Sequence, residues 1–215
     1  MIEVELKFKL PADSLPALEE YLATIGTARH LQNADTYYDT STFDLLRQAV
    51  FVRVRNQQRL EFKFNAQAAP AHIHCTERVF SLTPEPRQAE EMNHLFSGFL
   101  PHWQGENTVH TALHQNGLIE LAHIENRRAE YTCGNLTLCL DQVDSLGIFL
   151  EIETLCEEGG ELALAVSRVQ AFAADIKAQQ VHIGYVELWL QKYHPYAYRK
   201  GKYQEEYALD IHPAR

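Results

Sequence analysis

Residues 2–9 read Ile2-Glu3-Val4-Glu5-Leu6-Lys7-Phe8-Lys9. With a period of two, Glu3, Glu5 and Lys7 fall on one side of an extended strand, and Ile2, Val4, Leu6 and Phe8 fall on the other. One such strand is ordinarily a strand with one wet face. The pattern recurs, however. Phe51 to Arg55 sets Arg53 and Arg55 opposite Val52 and Val54; Leu60 to Phe64 sets Glu61 and Lys63 against Leu60, Phe62 and Phe64; Leu150 to Glu153 sets Glu151 and Glu153 against Leu150 and Ile152. If these faces converge inside one closed sheet, its lumen holds carboxylates and cations together, which is the chemistry of a metal-bound polyphosphate.

The ordered set Glu3-Val4-Glu5-Leu6-Lys7, Tyr37-Tyr38-Asp39-Thr40, Arg53-Val54-Arg55, Lys63, Arg127, Asp141 and Glu151-Ile152-Glu153 resembles the signature of the CYTH superfamily, the triphosphate tunnel metalloenzymes, over nearly the whole chain. About eight strands with helices between some of them imply an antiparallel sheet closed into a barrel, whose interior has room for side chains or one small ligand. The resemblance implies the same: an α+β fold, a closed antiparallel eight-stranded β-barrel with surrounding helices, in a single domain over residues 1–215.

The chain has 215 residues, 46% of them hydrophobic, with only 10 glycines and 8 prolines, so it can build a sizeable globular core. Its net charge of -10 argues against nucleic-acid binding, which needs a broad basic face. No apolar run long enough to span a membrane and no secretory signal is present. Cys75, Cys133, Cys139 and Cys156 are scattered without close pairing motifs. The expectation is a cytoplasmic protein with reduced thiols that meets neither nucleic acid nor membrane. Its partner would be a small-molecule triphosphate, and the resemblance implies a monomer or homodimer.

Spacing predicts a helix over Pro11 to Gly26, with Asp13 or Ser14 at its start, and a strand over Asp35 to Thr40. Leu45-Leu46-Arg47 leads into the arginine strand, Gln57-Gln58 turns the chain, and Asn65 to Pro70 is loop. A strand over His72 to Leu82 is ended by Pro84 and Pro86, and a helix covers Gln88 to Phe99. Pro101 to Gly117 reads as irregular with one helical turn. Leu118 to Thr132 and Leu136 to Val143 form a hairpin about Gly134-Asn135, and Ser145-Leu146-Gly147 turns into Ile148 to Leu155. A helix runs from Glu158 to about Gln180, a second covers Ile183 to Tyr193, and a basic, tyrosine-rich tail follows Pro195.

Glu3, Glu5, Glu151 and Glu153 are hard oxygen donors suited to Mg²⁺ or Mn²⁺, and the resemblance adds Asp141. It also implies that Lys7, Arg53, Arg55, Lys63 and Arg127 hold the phosphates. Arg127 and Arg128 cannot both face inward on a regular strand, and Arg127 matches the family arginine. Glu77 is a further acidic candidate. Tyr37 would orient or deprotonate the attacking water, with Lys7 lowering its pKa. The bland alternatives are solvent-facing carboxylates, surface salt bridges and a packed tyrosine. His72-Ile73-His74-Cys75 lacks the second ligand pair that structural zinc requires.

Leu190 to Pro195 with Tyr198-Arg199, and Asp35 to Thr40, resemble thiamine triphosphatases of the superfamily. Gly184-Tyr185 stands where those have a lysine, closer to bacterial members. The reading is a metal-dependent hydrolase of thiamine triphosphate or inorganic triphosphate. The alternatives are a class IV adenylyl cyclase, which converts ATP to cyclic AMP and pyrophosphate, and a non-catalytic polyphosphate- or nucleotide-binding module.

Overall fold

The computed structural model describes residues 2–64, 74–157, 162–174, 176 and 178–202. Its elements are β1 (Ile2–Leu10), α1 (Leu15–Ile25), β2 (Arg29–Asp39), β3 (Phe51–Arg55), β4 (Arg59–Phe64), β5 (His74–Ser81), α2 (Pro86–Phe99), α3 (Val109–Gln115), β6 (Ile119–Cys133), β7 (Leu136–Val143), β8 (Gly147–Cys156), α4 (Leu162–Ala173), β9 (Gln179–Val181), α5 (Tyr185–Tyr193) and α6 (Pro195–Tyr198). The strands form one sheet in the order β5-β4-β3-β2-β6-β7-β8-β1-β9, and β5 also pairs with β1. Eight strands therefore close into an antiparallel barrel of the expected α+β class, with β9 outside it. The seam is β1. One edge runs along β8 from Ile2 to Leu10, while the other takes β5 over Ile2 to Val4 and β9 over Lys7 to Lys9.

By its internal contacts the chain falls into two compact units. The first holds the described residues of Met1–Ala34, Ala71–Glu77 and Ile124–Leu188. Here Val4, Leu6 and Phe8 of β1 pack with Leu138 and Leu140 of β7, Leu150 and Ile152 of β8, Leu22 of α1 and Val169 of α4. The alternate residues on these strands are covered as well: Glu3, Lys7 and Glu151 are only 9%, 7% and 4% exposed. The charged face is not a wet face.

The second unit holds the described residues of Asp35–Pro70, Arg78–His123 and Trp189–Arg215. Val52, Val54, Leu60 and Phe62 pack with Phe80, Met92, Phe96, Val109 and Leu113. Phe62 meets Phe80 and Phe96 edge-on, at 6.0 and 4.5 Å between ring centres, and Trp103 stacks on Phe96 at 3.8 Å. Within this unit α6 folds back so that His194 and Tyr196 lie edge-on to Phe43.

Several boundaries differ from expectation for local reasons. A 3-10 turn at Ala12–Ser14 precedes α1, and the Ser14 hydroxyl donates to the Pro11 carbonyl instead of capping the helix. Pro86 begins α2, because a first-turn proline has no intrahelical partner to lose. Residues 101–117 contain α3, capped by Thr108, whose side chain accepts from the Thr111 N–H; seven residues are too few to show periodicity. Likewise α4 stops at Ala173 and the three-residue β9 follows. The loop at 65–70 and the predicted helix start at 158 lie outside the described residues.

Hairpin chemistry follows the sequence more closely. Asn56 and Gln57 both take φ 54° between β3 and β4, and Gly134 takes φ 59° between β6 and β7. Asp39, 1% exposed, accepts from the N–H groups of Thr40, Leu45 and Leu46 at 2.7 to 2.9 Å. That motif residue shapes the turn before β3. No described helix is long and apolar enough to cross a membrane.

Phe62→Ala removes a fully buried ring from between two others. Urea unfolding should register a loss of about 3–5 kcal/mol; a loss below about 1 kcal/mol would mean the cluster does not anchor the second unit.

Candidate functional site

In the first unit, antiparallel register decides which charges meet. Pairing of β1 with β8 sets Lys7 opposite Glu151 and Glu5 opposite Glu153. The Lys7 ammonium lies 2.7 Å from Glu5 Oε1 and 3.0 Å from Glu151 Oε1, and 4.6 Å from the centre of the Tyr185 ring. Pairing of β6 with β7 sets Arg128 opposite Asp141. Arg128 donates Nε and Nη2 to Asp141 at 2.8 and 2.6 Å and also reaches Glu151. Asp141 further accepts from the Tyr185 hydroxyl at 2.8 Å and from Asn126 Nδ2 at 3.1 Å.

Asp141 and Glu151 are thus engaged by cations and donors. Glu3, Glu5 and Glu153 form a different group, with carboxylate oxygens all within 4.8 Å of one another. Burial, and then the Glu3 carboxylate, pushes the Glu153 carboxyl up to about 9. Burial, and then Glu5, raises Glu151 too, against the opposing pull of Lys7 and Arg128. An all-oxygen set of this kind fits Mg²⁺ or Mn²⁺. Among the described residues, Lys7 joins the two sets, touching Glu5 on one side and Glu151 on the other.

The second unit has a charged cluster of its own. Pairing of β2, β3 and β4 sets Asp35 opposite Arg55, Tyr37 opposite Arg53, and Arg53 opposite Glu61. Arg55 grips Asp35 through Nε and Nη2, both at 2.7 Å, while Arg53 reaches Glu61 at 2.6 Å, Asp35 at 3.2 Å and the Tyr37 hydroxyl at 3.1 Å. Arg59 also holds Glu61. Among the described residues, three guanidiniums thus gather round the carboxylates of Asp35 and Glu61. Burial would raise the Glu61 carboxyl, but Arg53 and Arg55 overcome it and hold it down at about 2. Lys63 is half-buried, on the same side of β4 as Glu61.

Two expectations, on Arg127 and Tyr37, require correction. Arg127 is exposed, and its neighbour Arg128 occupies the charged cluster. Among the described residues, Asp141 and Glu151 lie outside the two clusters of three donors within 4.8 Å; they bind Arg128, and Glu151 also binds Lys7. The Tyr37 phenol is raised above its usual value, by burial first, with Arg53 opposing without prevailing, so it is not a lowered-pKa base. Sequence reasoning missed Asp35 and Glu61 as partners of the arginines, although both lie at the right parity. Glu77 does lie with Glu3, and Cys75 joins them. Of the histidine-cysteine run, His72 and Ile73 lie outside the described residues.

The CYTH domain model matches residues 1–178, and the chain belongs to the CYTH domain family. No curated protein matches it in sequence. Among solved structures, the PH1819 protein of Pyrococcus horikoshii superposes with a TM-score of 0.64 at 23% identity, covering 88% of this chain and 99% of that one. A candidate adenylate cyclase of Vibrio parahaemolyticus gives 0.56 at 19% identity, covering 88% and 98%. A candidate adenylyl cyclase of Hippeastrum with a dominant triphosphatase activity gives 0.53 at 17% identity, covering 94% and 96%. These likenesses establish the fold.

Arg128→Gln strips Asp141 and Glu151 of a buried partner and should cost about 3–5 kcal/mol in urea unfolding, while Arg127→Gln should change stability by no more than about 0.5 kcal/mol. Equal effects would contradict the assignment. Glu61 sits below its ordinary pKa of 4.5, at about 2, so its stabilising contribution is present above that ordinary value and lost as pH falls toward the lower one. Between those limits Glu61→Gln should flatten the acid decline of stability by on the order of 3 kcal/mol, read as unfolding midpoint against pH; an unchanged slope would rule the linkage out.

Proposed function

We propose that the protein is a metal-dependent triphosphatase acting on thiamine triphosphate or inorganic triphosphate. The observation that carries this reading is the convergence of the Glu3, Glu5 and Glu153 carboxylates within 4.8 Å, in a chain whose other charged cluster has guanidiniums in excess. Glu3, Glu5 and Glu153 would hold Mg²⁺ or Mn²⁺, which supplies charge neutralisation to the phosphates and to the water that attacks them.

The chain's own residues do the rest by position and charge, as phosphoryl transfer requires. Arg53, Arg55 and Lys63 grip phosphate oxygens, the arginines in orientations preset by Asp35 and Glu61. Lys7, held by Glu5, Glu151 and the Tyr185 ring, adds a point charge. Tyr37 keeps its proton and serves as an orienting hydroxyl beside Arg53. Hydrolysis is favoured over cyclisation because a structural relative described as a candidate adenylyl cyclase is dominated by triphosphatase activity. The cyclase reading is kept because of the Vibrio relative.

The purified protein should release orthophosphate from inorganic or thiamine triphosphate under Mg²⁺ or Mn²⁺, and Glu3→Gln or Glu153→Gln should reduce the rate at least about a hundredfold. Cyclic AMP from ATP would replace the hydrolase with the cyclase. Saturable binding without any turnover would leave only a binding module.

A further inference from the structure

Closure of the sheet brings β5 onto β1 with Cys75 directly opposite Glu3. Glu77, two residues on, lies on the same face of the strand. The Cys75 thiol is 3.5 Å from Glu3 Oε2, and the donor atoms of Glu3, Cys75 and Glu77 lie within 4.8 Å of one another. A second thiol borders the neighbouring group from another strand: Cys139 of β7 lies 3.6 Å from Glu153 Oε1. Sulfur contributes nothing to magnesium binding, whereas it selects for softer ions.

We propose that Glu3, Cys75 and Glu77 form a second cation position, built from two carboxylates and a thiol, that takes a soft divalent ion such as Zn²⁺ or Cd²⁺. Its donors come from two paired strands, so the backbone ladder fixes their spacing. Binding turns the Cys75 thiol into a metal-bound thiolate and releases one proton to solvent per ion. Cys139 is fully buried and stays outside this set. Glu3 belongs to both groups, so an ion on the thiol side withdraws it from Glu5 and Glu153. The soft ion therefore inhibits; this consequence rests on the triphosphatase reading, while the binding itself does not.

The test is a titration of the full, metal-free chain with Cd²⁺, followed by the ultraviolet sulfur-to-cadmium charge-transfer band. The band should saturate with one ion per chain, fade when excess Zn²⁺ displaces the probe, vanish in Cys75→Ser and persist in Cys139→Ser. Glu77→Gln, which keeps the thiol, should weaken Cd²⁺ binding about tenfold or more. No band in the wild type, or an undiminished band in Cys75→Ser, overturns the site. Turnover of inorganic triphosphate under Mg²⁺ is measured on the same samples. Inhibition by Cd²⁺ that Cys75→Ser relieves supports the consequence, and turnover indifferent to a bound Cd²⁺ overturns it. A cadmium band with no turnover under any metal would sink the enzyme and leave the site standing.

Discussion

Covering both faces of the same strands is the constraint from which the rest of this molecule follows. Val4, Leu6 and Phe8 are buried on one side of β1, and Glu3 and Lys7 on the other. A buried ion without a partner costs several kcal/mol, so every charge on the second side must be answered by a neighbour or by a ligand. Antiparallel register supplies the neighbours. Lys7 answers Glu151, Arg128 answers Asp141, and Arg53 answers Glu61, each directly opposite its partner on the adjoining strand.

The balance of charge among the described residues differs between the two units. In the first, Glu5 stands directly opposite Glu153, a like-charge pair that would destabilise a sheet on its own and that Lys7 joins from the Glu5 side. In the second, guanidiniums outnumber carboxylates and are held flat by bidentate contacts. The structural relatives named above are below 25% identical; they speak for the barrel.

Much of this was legible in the chain because alternation and turn chemistry are local. The strands at 51–55, 136–143 and 148–155, the hairpin at Gly134-Asn135 and the helix at 183–193 all lie where their residues placed them, within a residue or two. Short elements such as α3 and β9 were not legible, since their length hides any period. Register separates Arg127 from Arg128. Counting back from the Gly134-Asn135 turn, with Cys133 opposite Leu136, puts Arg128 and not Arg127 opposite Asp141. Motif matching identified the arginine, but parity decides which of two adjacent residues turns inward.

The same lesson separates the two glutamates of Glu151-Ile152-Glu153, which the sequence presents as equivalents. Both lie on one face of β8, two residues apart, and β1 presents Lys7 and Glu5 at the same separation and in the opposite chain direction. Glu151 therefore receives an ammonium and Glu153 receives a carboxylate. Glu151 meets Lys7 and Arg128, while Glu153 lies with Glu3 and Glu5. Sliding β1 by two residues would keep its apolar face on the same side but break both pairings, setting Lys7 opposite Glu153 in one direction or Glu5 opposite Glu151 in the other. In the observed register Tyr185 covers the Lys7 ammonium with its ring and donates its hydroxyl to Asp141. Which charge each of two like residues meets thus lies in strand register, one level above the letters of the motif.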